Sequence, residues 1–210
     1  MGRPTGSRNP GFEQKRAQLA EAILEHLLRT GISPVSLREL AAACEVTPPT
    51  LRHYFGDRDG ALEAALRAAH RAGEEHMAYT IGADLGDVRT ALVATLRYLV
   101  DGWVNYGVGR LNALGIGAGL DHERLGPAYV AELLEPLLQS FEARLARHVA
   151  SGELAVPSLR VAALQLVSPL VMALLHQHQL GGHACRPLDV DALVEPHVDA
   201  FLRIYAVASS

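Results

Sequence analysis

Sulfur and lysine are scarce in these 210 residues: there are two cysteines, Cys44 and Cys185, and one lysine, Lys15. Two thiols cannot build a multi-disulfide scaffold or a four-thiolate zinc site. Aromatic residues make up only 5%, with a single tryptophan, so the core must rest mainly on Leu, Ala and Val. The longest apolar run, Val161 to Leu175, is interrupted by Gln165, Ser168 and Pro169. It falls short of the roughly 20 residues a membrane span needs, so no membrane partner is expected. The opening MGRPTGSRNP has no apolar stretch behind it. No secretory signal is read there, and a cytoplasmic location is expected. No segment alternates in a two-residue period with β-branched enrichment, which excludes a sheet, and no repeat of 20 to 50 residues is evident. The chain has no G-x-S-x-G, no HExxH, no Walker A and no G-x-G-x-x-G opening a βαβ unit. Gly115-Ile-Gly-Ala-Gly119 lacks the preceding strand and the lysine of a phosphate loop. An enzyme is therefore not expected, nor a cofactor.

What is present is a chain 49% apolar and 20% charged, the balance of a folded globular protein. Its net charge of −4 is unevenly spread. Residues 1–58 carry eight basic and six acidic side chains, and residues 59–210 carry eleven and seventeen. A polyanion would thus be met at the N-terminal end. Residues 1–10 read as a flexible basic arm, 11–58 as one domain and 59–210 as a second, with the join inside a shared helix.

Helical periodicity begins at Phe12. Ala20, Ile23, Leu24, Leu27 and Leu28 share one face, and Gly31 reads as the stop. Ser36-Leu-Arg-Glu39 is a capping box opening a short second helix. Thr47 is the expected N-cap of a third, with Pro48 and Pro49 in its first turn, where their missing N–H groups cost nothing. Asp57 is the expected N-cap of a fourth. Beyond Gly82, helices are expected near 87–106, 108–119, 127–150, 157–180 and 190–207. The expected fold is all-α, about nine helices in total.

The segment Ser36 to Tyr54 reads as a helix-turn-helix. Such a motif sends the N-terminal residues of its second helix into the major groove. The groove-facing positions would be Thr47, Pro48, Thr50, Arg52 and His53. Arg52 can offer a two-pronged donor to a guanine edge. Tyr54 could reach a phosphate oxygen, and Ser36, Arg38 and Arg58 lie where phosphates would pass. A helical hairpin that merely packs would share the bare pattern. The wider pattern is more specific. Gly31-x4-Ser36-Leu-Arg-Glu-Leu-Ala41, Val46-Thr47-x2-Thr50-Leu51-x-His53-Tyr54-Phe55 and Asp57-Arg58-Asp59-x2-Leu62 together resemble the N-terminal domain of the TetR family of transcriptional regulators. The likeness covers about fifty residues. It implies a three-helix DNA-binding head and a helical ligand-binding and dimerisation body. A homodimer would bind double-stranded DNA at a palindromic operator, and a small molecule would release it. Two positions depart from the pattern: Arg52 stands where the family often has tyrosine, and Arg58 where it has lysine.

In the body, Val190, Leu193, Val194, Val198, Phe201, Leu202 and Tyr205 recur along the last helix. Val161, Leu164, Val167, Val171, Leu174 and Leu175 recur along the one before. Each is apolar over more than one face, which suits a homodimer formed through the last two helices. The middle helices carry the candidates for a small-molecule effector site. Trp103, Tyr106, Leu133, Leu137, Gln165, Met172 and His176 could line a mostly apolar cavity, so the effector is expected to be largely apolar. Ordinary core packing would place the same residues. Glycine recurs at 107, 109, 115, 117 and 119, which predicts a weak, movable helix there. His176, His178, His183 and Cys185 fit no zinc spacing, and no metal is expected. Two other functional readings share these features: a DNA-binding regulator without a small-molecule effector, and a helical binding protein whose head no longer binds DNA.

Overall fold

The capping box at Ser36 is made as the sequence requires. The Ser36 hydroxyl accepts from the Glu39 N–H at 3.2 Å, and the Ser36 N–H donates to the Glu39 carboxylate at 2.7 Å. In the computed structural model, which describes residues 10–30 and 35–207, this box opens helix α2, Leu37–Ala43, after the long helix α1, Pro10–Thr30. Of the expected arm over residues 1–10, residues 1–9 lie outside the described residues, as does the Gly31 stop, and Pro10 already belongs to α1. Thr47 caps α3, Pro48–Phe55, by accepting from the Thr50 N–H, with Pro48 in the first turn. Asp57 accepts from the Gly60 N–H at 2.7 Å and so caps α4, Arg58–Gly82.

The rest is helical too. Helices α5 (Val88–Asn105) and α6 (Val108–Gly119) lead into α7 (Leu125–Tyr129). A π-helical turn over Val130–Leu134 joins α7 to α8 (Glu135–Ala150). Helix α9 (Leu159–Leu174) passes through a second π turn, Leu175–Gln179. The short α10 (Gly182–Cys185) precedes the last long helix, α11 (Val190–Tyr205). No strand forms among the described residues, and one isolated antiparallel bridge ties Leu154 to Ala206.

The chain gathers into two compact units. The first takes the residues up to Ala72 together with Leu114–Glu132, and the second takes Gly73–Ala113 and Leu133 onward. The first unit closes on Leu19, Ile23, Leu27, Leu40, Leu51, Phe55 and Leu62, joined by Leu114 and Leu125. The second closes on Leu92, Leu96, Phe141, Leu145, Leu166, Leu170, Val194 and Val198, with Trp103 at its edge.

The helix expected near 157–180 is apolar over more of its length than the run Val161 to Leu175. Leu159 to Gln179 run as a continuous 21-residue helix, apolar and long enough to cross a bilayer. Here it packs against α8 and α11, and Ala162, Ala163, Leu166, Val167, Leu170, Ala173 and Leu174 are buried in the second core. It is a core helix of that unit.

The glycines of α6 have a specific use. A Cβ on Gly115 would lie 2.1 Å from the Tyr129 ring, and one on Gly119 would lie 3.0 Å from Gly126. In the second unit a Cβ on Gly109 would collide with the Trp103 ring nitrogen. These residues are small because other parts of the chain press directly on the helix backbone.

Candidate nucleic-acid interface

Helices α2 and α3 are joined by Cys44–Thr47, a turn in which Glu45 takes a left-handed φ of 53°. The Val46 N–H returns to the Ala41 carbonyl and locks the turn. Leu40 and Leu51 are wholly buried beneath it, so the crossing of the two helices is set by apolar contact. Leu51 and Phe55 are the buried side chains of α3, and the others lie toward its outer face. Thr47, Arg52 and His53 are exposed, and Pro48 and Thr50 are half-buried.

The hydroxyls are already organised. Thr47 and Thr50 share a hydrogen bond between their Oγ1 atoms at 2.8 Å, which fixes both rotamers. The Ser36 hydroxyl oxygen accepts from the Glu39 N–H of its own helix. The Glu39 carboxyl is held below its ordinary value by the Ser36 N–H and then by the Ser36 hydroxyl. It is thus committed to the cap at neutral pH. Arg38 is exposed on the outer face of α2.

Arg58 and Tyr54 are more occupied than their positions alone suggested. The Arg58 Nε donates to the Val35 carbonyl at 2.5 Å and its Nη1 donates to Asp59. Arg58 therefore ties the start of α4 to the residue preceding Ser36. The Tyr54 ring stacks on Phe12 with centroids 4.8 Å apart, and His53 stands edge-on to both rings. Arg16 donates to the Tyr54 carbonyl and lies over the Phe55 ring. Phe12 and Arg16, on α1, thus buttress the end of α3. Neither was singled out from the sequence, because each is read there only as part of an amphipathic helix.

Arg124 extends the charged rim of the same unit. It donates to Asp57 at 2.8 Å and to Glu63 at 2.9 Å, and His122 pairs with Asp59. His70 meets Glu132 at 3.1 Å. These bridges anchor the Leu114–Glu132 segment to the first half of α4.

The residues expected to receive a small molecule differ in burial and in their partners. Trp103 is buried, and its N–H donates to the Gln179 side-chain oxygen at 2.7 Å. Leu133 and Leu137 are half-buried, Leu137 against the second core. Tyr106 and Met172 are 72% and 63% exposed. Gln165, also exposed, accepts from the Tyr205 hydroxyl, and exposed His176 bonds the Gln177 amide. His183 bonds the Gln177 carbonyl. A surface hollow of about 340 Å³ lies elsewhere in this unit, lined by Arg97, Asp191, Ala192, Glu195, Pro196 and Asp199.

A compact helical head with an exposed helix-turn-helix and a larger helical body define a DNA-binding regulator. Residues 19–65 match the model of the bacterial regulatory proteins of the tetR family, and residues 90–207 match that of the AefR-like transcriptional repressor C-terminal domain. The chain belongs to the TetR family of transcriptional regulators. It is similar to the HTH-type transcriptional regulator BetI of Paraburkholderia phytofirmans, 40% identical over 55 residues, 26% of this chain. That match spans about 28% of the length of the curated relative. The fold is similar to that of a Mesorhizobium loti protein assigned to the TetR family of transcriptional regulators. The TM-score is 0.78 at 17% identity, over 95% of this chain and all of that one. It is also similar to that of the flavonoid-responsive regulator FrrA, with a TM-score of 0.66 at 16% identity over 94% of this chain and all of the other. These are the relations of a transcriptional regulator and not of an enzyme.

Proposed function

We propose that this regulator is a homodimeric repressor that binds a palindromic operator through α2 and α3 and leaves it when a small, largely apolar molecule enters the body. The observation that carries the reading is the outward face of α3. Thr47 and Thr50 project from the N-terminal end, and Arg52 from the last turn, of a short helix whose position is fixed by Leu40, Leu51 and the Phe12–Tyr54 stack. A helix presented this way reads base edges, with Arg52 as the guanine-seeking donor. Ser36, Arg38 and Tyr54 would meet phosphates and set the register. Arg58 would act chiefly by holding the start of α2, and His53 by packing on Tyr54 at the edge of the contact.

The dimer reading is supported by α9 and α11. Val161, Leu164 and Met172 on α9, and Ile204 on α11, remain exposed although each helix also supplies the core of its own unit. A second copy related by a two-fold axis would cover this apolar face. Two heads so related would address half-sites about 34 Å apart on one side of the duplex.

Release would travel along α6. Its first half counts with the second unit and its second half, from Leu114, with the first. There Leu114 and Leu125 enter the core of the head, and Arg124 grips Asp57 and Glu63 beside the cap of α4. A shift of α6 on effector binding would thus pull on the start of α4. A regulator of this kind works where the DNA is, in the cytoplasm.

The test is selection from a pool of duplex DNA that includes the region upstream of the protein's own gene. A palindrome bound by two protomers is the expected result. Sequence-independent binding alone, or none, would overturn the reading in favour of a helical binding protein with a silent head.

A further inference from the structure

Helix α8 carries Ser140, Arg144 and His148 at successive four-residue steps, and all three are buried. Residues at that spacing share one helical face. This face is therefore a polar stripe turned into the protein. Arg144 is only 2% exposed and His148 6%. Thr80 and Thr95, from α4 and α5, are also buried in this unit.

Two of these groups are left incomplete. The Arg144 Nε donates to the Thr80 carbonyl at 2.7 Å, but its Nη2 has no partner. No carboxylate among the described residues forms an ion pair with it. The neighbouring Arg147 cannot compensate, because it is itself cationic and donates to the Ile81 carbonyl. The His148 Nδ1 meets the Glu153 carboxylate at 2.8 Å, and its Nε2 has no partner either. Glu153 is also bonded by the Ser151 hydroxyl and the Val88 N–H, so it is fully used where it stands. Asp84 acts on the Arg144 charge from a distance without bonding it, and a buried guanidinium N–H and a buried ring nitrogen without hydrogen bonds are both costly. They sit one turn apart on the same face of α8.

We infer that the body of this regulator binds a carboxylate-bearing effector, with Arg144 as the anchor of the carboxylate and His148 as its second contact. One carboxylate oxygen accepts from the Arg144 Nη2. The other lies on the His148 Nε2 side of the stripe, while Glu153 holds the ring at Nδ1 and fixes it. The apolar remainder of the molecule lies among Leu and Phe side chains such as Phe141 and Leu145, which neighbour the stripe on α8. This refines the proposed apolar effector into an amphipathic one, an apolar acid, and rests on the reading that the second unit receives an effector. Arg144 also explains why the contact would matter: through Thr80 it holds the C-terminal end of α4, and a ligand drawing on the same guanidinium acts on that end directly.

The test is thermal unfolding of the full chain at constant ionic strength, with chloride as the balancing ion. The probes are acetate, benzoate and octanoate, each beside its uncharged amide. A carboxylate at a hundredfold excess over its dissociation constant should raise the midpoint by roughly 5 °C, saturably. Its amide should be at least tenfold weaker in wild-type protein, a comparison that needs no variant. Arg144→Met should lose the carboxylate response, and Arg144→Lys should keep part of it. Equal response to acid and amide, a response retained in Arg144→Met, or no response to any of the three acids would overturn the inference. Operator binding is measured on the same samples. Loss of operator binding with an Arg144-dependent shift intact would sink the regulator reading and leave this one standing. Operator release by an uncharged molecule, equal in wild type and Arg144→Met, would do the reverse.

Discussion

The two units place their polar groups in opposite ways. All seven buried polar or charged residues among those described, Thr80, Thr95, Asn112, Ser140, Arg144, His148 and Gln177, fall in the second unit. The interior of the first is apolar apart from the buried Tyr129 phenol, and its aliphatic hydroxyls and its cations lie toward the outside at the ends of short helices. A dry core gives the head rigidity, and a rigid head can hold Thr47, Thr50 and Arg52 at the spacing of base edges. Polar groups inside a body make it less stable than an apolar interior would, unless something satisfies them. Such a body suits the recognition of a small molecule from within. The contrast assigns reading to an outer face and sensing to an inner one.

The sharpest way to break that contrast is to disturb the dry packing of the head. Gly115→Ala sets a methyl 2.1 Å from the Tyr129 ring. It should cost about 1–3 kcal/mol of stability, read from urea unfolding. No loss would mean that the Leu114–Glu132 segment is not pressed against the head as described.

Next in size is the turn between α2 and α3. Glu45 holds a left-handed φ of 53° that glycine adopts without strain. Glu45→Gly should raise stability by about 1 kcal/mol or slightly more. A fall instead would show that the Glu45 side chain contributes more to the turn than its backbone strain takes away.

The acid limb of stability tests the inner polar network. The Glu153 carboxyl is lowered from its ordinary 4.5 to about 2, first by the His148 ring, then by the Ser151 hydroxyl, with the Val88 N–H also contributing. A carboxyl depressed by folding stabilises above its unfolded value and loses that contribution as the folded group is protonated. Stability should therefore fall between about pH 4.5 and pH 2, and Glu153→Gln should flatten that part of the curve. An unchanged slope in the variant would remove Glu153 from the network.

How much of this was legible depended on range along the chain. The caps at Ser36, Thr47 and Asp57 involve partners three residues away, so residue type and spacing suffice to place them. Helix periodicity likewise placed the long helices of the body to within a few residues. What covers a helix face is a matter of distant sequence. Tyr106 and Met172 fit an inward stripe on periodicity, yet both lie exposed. Conversely, Arg144 and His148 have the spacing of a solvated polar face, and only the packing of the unit shows that both are buried. The glycines of α6 read as weakness in a helix, because the Tyr129 ring and Gly126 that they admit lie several residues downstream. Arg58 read as a phosphate contact, because its bond to Val35 spans 23 positions.

The most direct test of the outer-face reading is the affinity of wild-type protein and Arg52→Ala for a selected palindromic duplex and for its single-base-pair variants. The account predicts that wild type discriminates at one base pair of each half-site by about 1–3 kcal/mol and that Arg52→Ala loses that discrimination while keeping the rest. Uniform weakening across all the duplexes, with every base preference intact, would contradict it. Arg52 would then be a phosphate contact, and α3 would not read the DNA as its exposed face suggests.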